Sequence, residues 1–377
     1  MTIKGLQLYS LVKEDSTLEI ALAEVEMPEP LQDEVIVRVE ATPLNPSDIG
    51  LLFGPADMRT ATVSGTAERP VISAEIPDNL MRLASARLGK AMPVGNEGAG
   101  VVVAAGSSEA ARALMGKTVG MVGGEMYAQY RCLKASMCMD LPEGTTPAQA
   151  ASCFVNPLTA LGMVETMRTE GHTALVHTAA ASNLGQMLNR LCAEEGIGLV
   201  NIVRKAEQET LLRDLGASYV CNSTADTFHQ DLTEALVKTG ATLAFDAIGG
   251  GDLASQILKC MEVAANQSSS DYRHYGSDVY KQVYIYGRLD KRPTILSRDY
   301  GFSWGVGCWL LFSFVKKAGT ERITELNASI AAGLKTTFAS HYTKEISLVE
   351  VLSLQAIAEY SKQTTGEKFL IKPHSLA

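Results

Sequence analysis

The sequence lacks an apolar run long enough to span a membrane. Its most apolar stretch, residues 306–315, is well short of the roughly 20 residues that a transmembrane helix needs. The N-terminal segment has neither a basic leader with an apolar core nor a cleavage-like site. The seven cysteines are odd in number and have no CxxC spacing, which indicates free thiols and a reducing compartment. We therefore expect a soluble cytoplasmic protein.

Positive charge is also scarce. The chain has 33 Lys and Arg residues against 42 Asp and Glu residues, and its formal net charge is -9. This balance argues against a nucleic-acid or anionic-membrane partner. A chain of 377 residues is long enough for two domains of ordinary size, and it contains no internal repeat or low-complexity tract.

Residues 1–150 are rich in strand patterns. Val35, Val37 and Val39 alternate with mostly polar neighbours, and residues 99–105 and 117–122 form denser apolar runs. These patterns predict a compact, barrel-like β domain.

Beyond residue 150, helical and strand patterns alternate, as in a parallel sheet covered by helices on both faces. The predicted helices are 147–168, 183–195, 206–214, 227–239 and 252–263, and the predicted strands are 173–178, 199–203, 218–221, 242–247 and 282–286. Residues 369–371 are a last strand candidate, which we expect to pair back with the first domain.

The most informative stretch is residues 174–205, which reads as strand, turn, helix and strand. Small residues at 179–185 would let backbone N–H groups approach a pyrophosphate, and the helix N-terminus adds favourable partial charge. Only Gly185 stands where the full dinucleotide-binding fingerprint has three glycines, so this signal is weak by itself.

Two cations follow the second strand of this unit. NAD-binding units usually place an acidic residue there, to accept from the ribose 2′-hydroxyl. Here the residues are Arg204 and Lys205, which could pair with a 2′-phosphate and so favour NADPH over NADH. The alternative is that both residues only cap a strand on a solvated surface.

Seven motifs then follow one another in an order typical of one protein family. They are Asn45-Pro46-Ser47-Asp48, Gly95-Asn96-Glu97-Gly98-Ala99-Gly100-Val101-Val102, Asn156-Pro157-Leu158-Thr159-Ala160, the 179–186 turn, Phe245-Asp246-Ala247-Ile248-Gly249-Gly250, Tyr286-Gly287-Arg288-Leu289 and Gly366-Glu367-Lys368. On these residues the chain resembles the medium-chain dehydrogenase/reductase family, in the zinc-independent branch of quinone oxidoreductases and 2-enoyl-thioester reductases.

The resemblance implies an α/β fold, in which a Rossmann domain with a doubly wound parallel sheet accompanies a GroES-like, β-rich catalytic domain formed by both chain ends. The implied limits are 1–150 for the N-terminal part of the catalytic domain, 151–318 for the NADP-binding domain and 319–377 for the C-terminal return. Two segments are longer than in the family, 57–92 and the polar 266–282. A homodimer is the family expectation.

Zinc-dependent family members take catalytic ligands from a Cys near position 45 or 46 and from a His whose position is Asn96 here. The Cys is absent, and a carboxamide is a poor zinc ligand, so we expect no metal. The structural-zinc lobe is also missing, and we interpret Cys132 and Cys138 as small buried hydrophobes. Without a strong Lewis acid, hydride transfer to a conjugated acceptor is favoured over alcohol oxidation.

The resemblance assigns each site residue a role. Asn45 is the candidate catalytic residue, a polar group on the floor of the acceptor cleft; its alternative is a turn residue before Pro46. The cofactor-binding candidates are Ser182, Asn183 and Leu184 under the pyrophosphate, Arg204 and Lys205 at the 2′-phosphate, Gly249, Tyr286 and Gly287 beside the ribose and nicotinamide, Thr159 on the nicotinamide side, and Lys368 towards the phosphates. For Thr159 and Lys368 the alternatives are a helix surface and a solvated tail.

The acceptor is less well defined. Related enoyl reductases carry a proton-donating Tyr shortly after the Asn45-Pro46-Ser47-Asp48 motif, but residues 51–55 here contain none. This favours quinones, which can take a proton from solvent. We expect the 57–92 segment to cover the acceptor site or a subunit edge, and 266–282 to be a solvated loop.

We therefore predict an NADPH-dependent, zinc-independent oxidoreductase acting on a quinone or a similar conjugated carbonyl. One alternative is an NADPH-dependent 2-enoyl-thioester or alkenal reductase. Another is a catalytically weak NADPH-binding protein with a structural or redox-linked role.

Overall fold

The computed structural model describes residues 2–267, 273–364 and 368–375. The chain divides into two compact units. The first combines residues 1–155 with 327–377, and the second comprises 156–326. The sequence predicts the two domain borders after residues 150 and 318, and the contacts of the structure divide the chain after residues 155 and 326.

The first part of the chain alternates strands with short helices. Its elements are β1 (Lys4–Val12), β2 (Thr17–Glu26), β3 (Glu34–Pro43), α1 (Pro46–Phe53), β4 (Asp57–Gly65), β5 (Pro70–Glu75), α2 (Asp78–Ala84), β6 (Ala91–Pro93), β7 (Glu97–Ala105), α3 (Glu109–Ala113), β8 (Thr118–Val122), β9 (Tyr130–Lys134), β10 (Cys138–Asp140) and α4 (Pro147–Ala150). As the alternation predicts, Val35, Val37 and Val39 of β3 are fully buried.

The second unit alternates strands with longer helices. Its elements are α5 (Val155–Thr169), β11 (Ala174–Thr178), α6 (Asn183–Glu194), β12 (Gly198–Val203), α7 (Ala206–Asp214), β13 (Tyr219–Asn222), α8 (Phe228–Thr239), β14 (Leu243–Asp246), α9 (Leu253–Gln267), β15 (Lys281–Ile285), β16 (Trp304–Cys308) and α10 (Leu311–Gly333), which is kinked at Gly319. All five residues of β11 are buried, as expected for a strand inside a parallel sheet.

The strands of the second unit form a parallel sheet in the order β13-β12-β11-β14-β15-β16. This is the Rossmann order. Strands β12 and β13 are added on one side of β11, and strands β14, β15 and β16 are added on its other side. The predicted Rossmann domain is therefore confirmed.

The C-terminal part returns to the first unit with β17 (Lys344–Ile346), α11 (Leu354–Tyr360) and β18 (Phe369–Ile371). The described strands of this unit form one sheet in the order β4-β5-β2-β1-β6 and another in the order β10-β8-β7-β3-β18-β17, in which β9 also pairs with β3. Because Leu370 pairs with Pro43 and Ile371 with Thr42, both chain ends build this β domain, as predicted.

The predicted helix 147–168 is wrong in one respect. It is two helices, α4 and α5, separated by residues 151–154. The Glu97 carboxylate accepts the backbone N–H groups of Phe154 and Val155, so the second helix begins at a buried side-chain cap.

The apolar stretch 306–315 joins the end of β16 to the start of α10. Within the residues that the structure describes, no helix is both long and apolar enough to cross a membrane.

Candidate active site

The turn between β11 and α6 is shaped by one glycine and one left-handed residue. Ala179 adopts a φ of 49°, which is uncommon for a residue with a side chain. A Cβ atom at Gly185 would lie only 2.1 Å from the Ala180 carbonyl oxygen, so only glycine fits there. The Ser182 hydroxyl caps α6 by accepting the Gly185 N–H at 3.2 Å. Gly185, the one glycine of the fingerprint that this turn contains, is thus required by the close packing of the turn against the helix.

Ser182, Asn183 and Leu184 lie at the cap and in the first turn of α6. This helix has 12 residues, so its N-terminus carries partial positive charge that suits a pyrophosphate. The geometry of the turn therefore fits the predicted cofactor.

Arg204 and Lys205 follow β12 directly, and both are exposed. Their backbone is fixed, because the Arg204 N–H donates to Gln208 Oε1 at 3.0 Å and Thr224 Oγ1 donates to the Arg204 carbonyl at 3.2 Å. Within the described part of the chain, neither side chain is in a salt bridge. Both cations are therefore available to an anionic group.

The turns that follow β14 and β15 pack closely against each other, and each has a glycine at the point of contact. Gly249 has a φ of 79°, and a Cβ atom there would lie 2.8 Å from the Gly287 carbonyl oxygen. A Cβ atom at Gly287 would lie 2.3 Å from the Ala247 carbonyl oxygen. The structure thus brings these two predicted residues together, at the strand ends where ligands of Rossmann sheets bind.

A buried carboxylate fixes the same turn. Asp246 Oδ1 accepts the Thr178 hydroxyl at 2.7 Å and the Ile248 N–H at 2.9 Å, and its Oδ2 accepts the Gly249 N–H at 3.0 Å. These bonds tie β11 to the turn after β14. The sequence motif contains Asp246, but it does not reveal the partner on β11.

Tyr286 has an unforeseen partner in His177 of β11. The Tyr286 hydroxyl lies 2.7 Å from His177 Nε2, and the two rings stack with centroids 5.8 Å apart. Burial lowers the pKa of His177 to about 3 and raises the pKa of Tyr286, so both side chains are neutral. The hydroxyl and the imidazole are therefore hydrogen-bonded as two neutral groups inside the second unit.

Thr159 lies on α5 and is only 7% exposed. The alternative that it lies on a helix surface is therefore wrong. Its predicted contact with the nicotinamide side stays a prediction.

In the first unit, two carboxyl groups hold Asn45. Its backbone N–H donates to Asp48 Oδ2 at 2.8 Å, and its Nδ2 donates to Glu97 Oε1 at 2.8 Å. Asp48 also accepts the Asn96 N–H, at 2.9 Å. As expected for a residue before proline, Asn45 is extended, with φ -96° and ψ 156°. Asn45 is thus both the turn residue before Pro46 and a buried, fixed carboxamide.

Burial also shifts the acid-base behaviour of this cluster. It raises the pKa of Asp48 to about 7, although the N–H groups of Asn45 and Asn96 act in the opposite direction. Burial also raises the pKa of Glu97, and the positive charge of Lys368 opposes that effect.

Lys368 is enclosed beside this cluster. The residue is 7% exposed, and its Nζ lies 5.7 Å from the centroid of the Tyr342 ring. Burial lowers the pKa of Lys368 to about 8, against the attraction of Glu97 and Asp48. The alternative of a solvated tail is therefore wrong for Lys368. Gly366 and Glu367 of the same motif lie outside the described residues.

No family model matches the sequence. Among curated proteins, the mitochondrial enoyl-[acyl-carrier-protein] reductase of Xenopus tropicalis is 28% identical over 209 residues, which are 53% of this chain and 51% of that protein. The chain thus spans about half the length of this curated relative.

Solved structures match almost end to end. Escherichia coli quinone oxidoreductase, solved with NADPH, is 18% identical, with a TM-score of 0.66 over 98% of this chain and 100% of that one. A Mesorhizobium loti protein assigned as an NADPH:quinone reductase is 25% identical, with a TM-score of 0.72 over 99% of this chain and 100% of that one. The chain has the fold of the medium-chain dehydrogenase/reductase superfamily. It is similar to quinone oxidoreductases in structure and to an enoyl-[acyl-carrier-protein] reductase in sequence.

Asn96 is the residue predicted to stand at the histidine position of the zinc-dependent medium-chain dehydrogenases. Its Nδ2 donates to Ser47 Oγ at 3.0 Å. Among the described residues, no group of three or more His, Cys, Asp or Glu side chains could hold a metal ion. Cys132 and Cys138 are half-buried, and burial raises the pKa of their thiols to about 11 and about 12.

The 57–92 segment is built into the first unit. β4 and β5 pair with each other, and β5 extends the sheet at β2. Arg87, in a short 3-10 turn after α2, donates to the Leu51 carbonyl at 2.8 Å and to Ser10 Oγ at 2.7 Å. The segment therefore contacts the last turn of α1, the helix that begins next to Asn45. Its expected role as a cover of the acceptor stays a prediction.

The described part of the 266–282 segment is exposed along most of its length, as predicted, but it is anchored at two buried residues. Lys281 is fully buried and donates to Glu262 Oε2 at 2.6 Å and to Ser277 Oγ at 3.0 Å. Residues 268–272 lie outside the described residues.

Proposed function

We propose that the protein is an NADPH-dependent oxidoreductase that transfers a hydride to a quinone or a similar conjugated carbonyl. The observation that carries the cofactor assignment is the pair of exposed cations after β12, Arg204 and Lys205, which have no salt-bridge partner among the described residues. A 2′-phosphate supplies the anion that these side chains would hold, whereas an NAD ribose offers only hydroxyl groups.

The second unit would bind the rest of the cofactor. When bound, NADPH supplies the hydride. Backbone N–H groups at Ser182, Asn183 and Leu184 would hold the pyrophosphate at the N-terminus of α6. The glycine pair Gly249 and Gly287, together with Tyr286 and Thr159, would border the ribose and nicotinamide and so orient the transferred hydride.

Asn45 would bind the acceptor. Hydride transfer moves negative charge onto the acceptor oxygen, and a preorganised N–H donor stabilises that charge. The Asn45 amide has two N–H bonds, and Glu97 accepts one of them. The second N–H is the group that would bind the acceptor oxygen.

The end of α1 favours a quinone. Residues 51–55 contain no tyrosine, and Leu52 and Phe53 are buried in the core of the first unit. No phenol from this segment would protonate a reduced enoyl group, whereas a reduced quinone can take its proton from solvent.

A second candidate is a 2-enoyl-thioester reductase. The observation that favours it is the 28% identity to an enoyl-[acyl-carrier-protein] reductase. Both candidates share the proposed cofactor site, and they differ in the acceptor.

The rate of NADPH consumption separates these proposals. We would supply a simple benzoquinone in one assay and a medium-chain 2-enoyl thioester in another, with NADH as control. We expect quinone-dependent oxidation that prefers NADPH. Arg204→Ala removes one cation and should lower the NADPH preference by about 10- to 100-fold, because a charged hydrogen bond is worth about 1.5–3 kcal/mol.

Thioester turnover without quinone turnover would assign the second candidate. An unchanged NADPH preference in Arg204→Ala would contradict the phosphate site. Tight NADPH binding with no turnover of either acceptor would favour the catalytically weak, cofactor-binding alternative.

We also propose a cytoplasmic homodimer. The seven free cysteines support a reducing compartment. The open edge of strand β16, with the exposed Phe302 and Phe312 on either side of it in sequence, supports self-association.

A further inference from the structure

The enclosed ammonium of Lys368 has no assigned partner in the first unit. Among the described residues, no atom accepts a hydrogen bond from its Nζ. Burying a cation without such a partner costs free energy, so a compensating negative charge is needed nearby. Glu97 and Asp48 are the two carboxyl groups whose charge stabilises the ammonium.

Backbone pairing places Lys368 beside the candidate catalytic residue. The Lys368 carbonyl accepts the Thr343 N–H at 2.9 Å, and the next carbonyl, that of Phe369, accepts the Leu44 N–H at 3.0 Å. Leu44 directly precedes Asn45. The C-terminal strand β18 therefore brings Lys368 to the same end of β3 as Asn45.

The Glu97 carboxyl group accepts three hydrogen bonds, which occupy both of its oxygens. Its Oε1 accepts Asn45 Nδ2, and its Oε2 accepts the N–H groups of Phe154 at 2.7 Å and Val155 at 2.8 Å. A protonated carboxyl group gives up acceptor capacity on one oxygen. Protonation of Glu97 would therefore weaken its hold on the Asn45 amide or on the start of α5.

The groups that influence the Glu97 carboxyl come from several elements. They are Asn45 and Asp48 at the start of α1, Tyr127 before β9, Cys153 before α5, Tyr342 before β17 and Lys368 before β18. Burial raises the pKa of both tyrosines and of the cysteine, so these three stay neutral. Lys368 is the cation of this set.

We propose that Lys368 is a positioning residue, whose enclosed positive charge keeps the Glu97 carboxylate ionised so that Glu97 orients the Asn45 carboxamide. The proposal rests on the proposed function, in which Asn45 binds the acceptor oxygen. A neutral side chain at position 368 leaves Glu97 free to take up a proton. Asn45 then loses the acceptor that fixes its amide.

Lys368→Met removes the charge and keeps an unbranched side chain. We expect kcat with benzoquinone to fall by about 10- to 100-fold, as for other lost positioning contacts, while the NADPH dissociation constant stays unchanged. We expect Lys368→Arg to restore most of kcat. Lys344→Met is the matched control, because Lys344 Nζ also lies 5.7 Å from a ring centroid, that of Phe369, but is exposed and paired with Glu359.

A spectroscopic measurement tests the same coupling without turnover. Infrared difference spectra of Lys368→Met against the wild type at pH 7 should show the carbonyl band of a protonated carboxyl group. Because the Asp48 pKa is about 7, Asp48 also contributes to this band, so the part assigned to Glu97 is the part that the double variant Lys368→Met/Glu97→Gln loses. The acid limb of the pH profile for the acceptor should also move to higher pH in Lys368→Met, because loss of the cation raises the Glu97 pKa further.

Wild-type kcat in Lys368→Met, or no carboxyl band assigned to Glu97, would overturn the proposal. A parallel loss of NADPH affinity would instead assign Lys368 to the cofactor phosphates. If the wild-type protein reduced neither acceptor, the proposed function would fail, while the infrared band would still decide whether Lys368 controls Glu97.

Discussion

At the residue scale, burial favours the neutral form of one acid and one base. His177 lies wholly inside the second unit, where its pKa falls to about 3, and Asp48 lies wholly inside the first, where its pKa rises to about 7. The cause is the same, because a low-dielectric interior penalises the charged form of either group. His177 is therefore a neutral hydrogen-bond partner of Tyr286.

We predict that His177 destabilises the fold in acid. In the unfolded chain its pKa is near 6.5, and in the fold it is about 3, so between these values the unfolded state binds the additional proton. The free energy of unfolding should therefore fall by about 2 kcal/mol between pH 6.5 and 5 through this residue alone. His177→Gln keeps a side chain that can donate to or accept from Tyr286, and it should lose this part of the pH dependence. Urea unfolding at pH 7.5 and pH 5 measures the difference.

His229→Gln is the control, because His229 is exposed on α8. Protonation of Asp48 should raise the free energy of unfolding in acid, because its raised pKa makes the folded state bind the proton at a higher pH than the unfolded state does. This contribution is the same in all the variants compared, since each of them retains Asp48. An equal loss of stability in acid for wild type and His177→Gln would show that His177 is not the group responsible.

The sequence motifs point to Asn45 and Lys368, and the structure places both beside Glu97. The same motifs contain Glu97 but do not reveal its role. Its backbone partners Phe154 and Val155 lie 57 and 58 residues further along the chain, so the contact exists only in the folded protein. His177 is missed for a similar reason, because its partner Tyr286 is 109 residues away.

At the element scale, periodicity predicts the helices of the sheet unit well. Helix α7 has the predicted limits, 206–214, because its pattern depends on local sequence. Strand β16 is missed, because glycines at 305 and 307 resemble turn residues. In the structure, a Cβ atom at Gly305 would lie 2.4 Å from the Tyr280 hydroxyl, so the glycine there reflects close packing of a strand.

The 57–92 segment depends on Arg87 for its contact with the end of α1. We predict that Arg87→Met lowers the free energy of unfolding by about 1–3 kcal/mol, because it removes donors from the Leu51 carbonyl and from Ser10 Oγ. If the segment also shapes the acceptor site, KM for the quinone should rise while the NADPH dissociation constant stays the same. Chemical denaturation and steady-state kinetics measure the two effects.

Arg82→Met is the matched control, since Arg82 is exposed on α2 of the same segment. Its effect should stay within about 0.5 kcal/mol. Equal stability losses in both variants would mean that Arg87 does not anchor the segment. A large stability loss with unchanged KM would confine Arg87 to a structural role.

At the scale of the whole molecule, three strongly exposed apolar side chains of the second unit flank one edge strand. β16 ends the sheet and, among the described strands, pairs with β15 alone. Phe302 is 83% exposed, Leu310 59% and Phe312 64%, and they flank this strand in sequence. An open strand edge beside large apolar side chains is a surface that proteins usually cover.

We predict that a second copy of the chain covers this edge. A two-fold axis would bring the two β16 edges together in a self-complementary contact, which is the usual form of a homodimer interface. The double variant Phe302→Asp/Phe312→Asp places charge on both sides of the strand and should shift the protein to a monomer in light scattering after gel filtration. Leu83→Asp is the control, because Leu83 is 72% exposed on α2 in the first unit. A monomeric wild type, or a variant that remains dimeric, would rule out this edge as the interface.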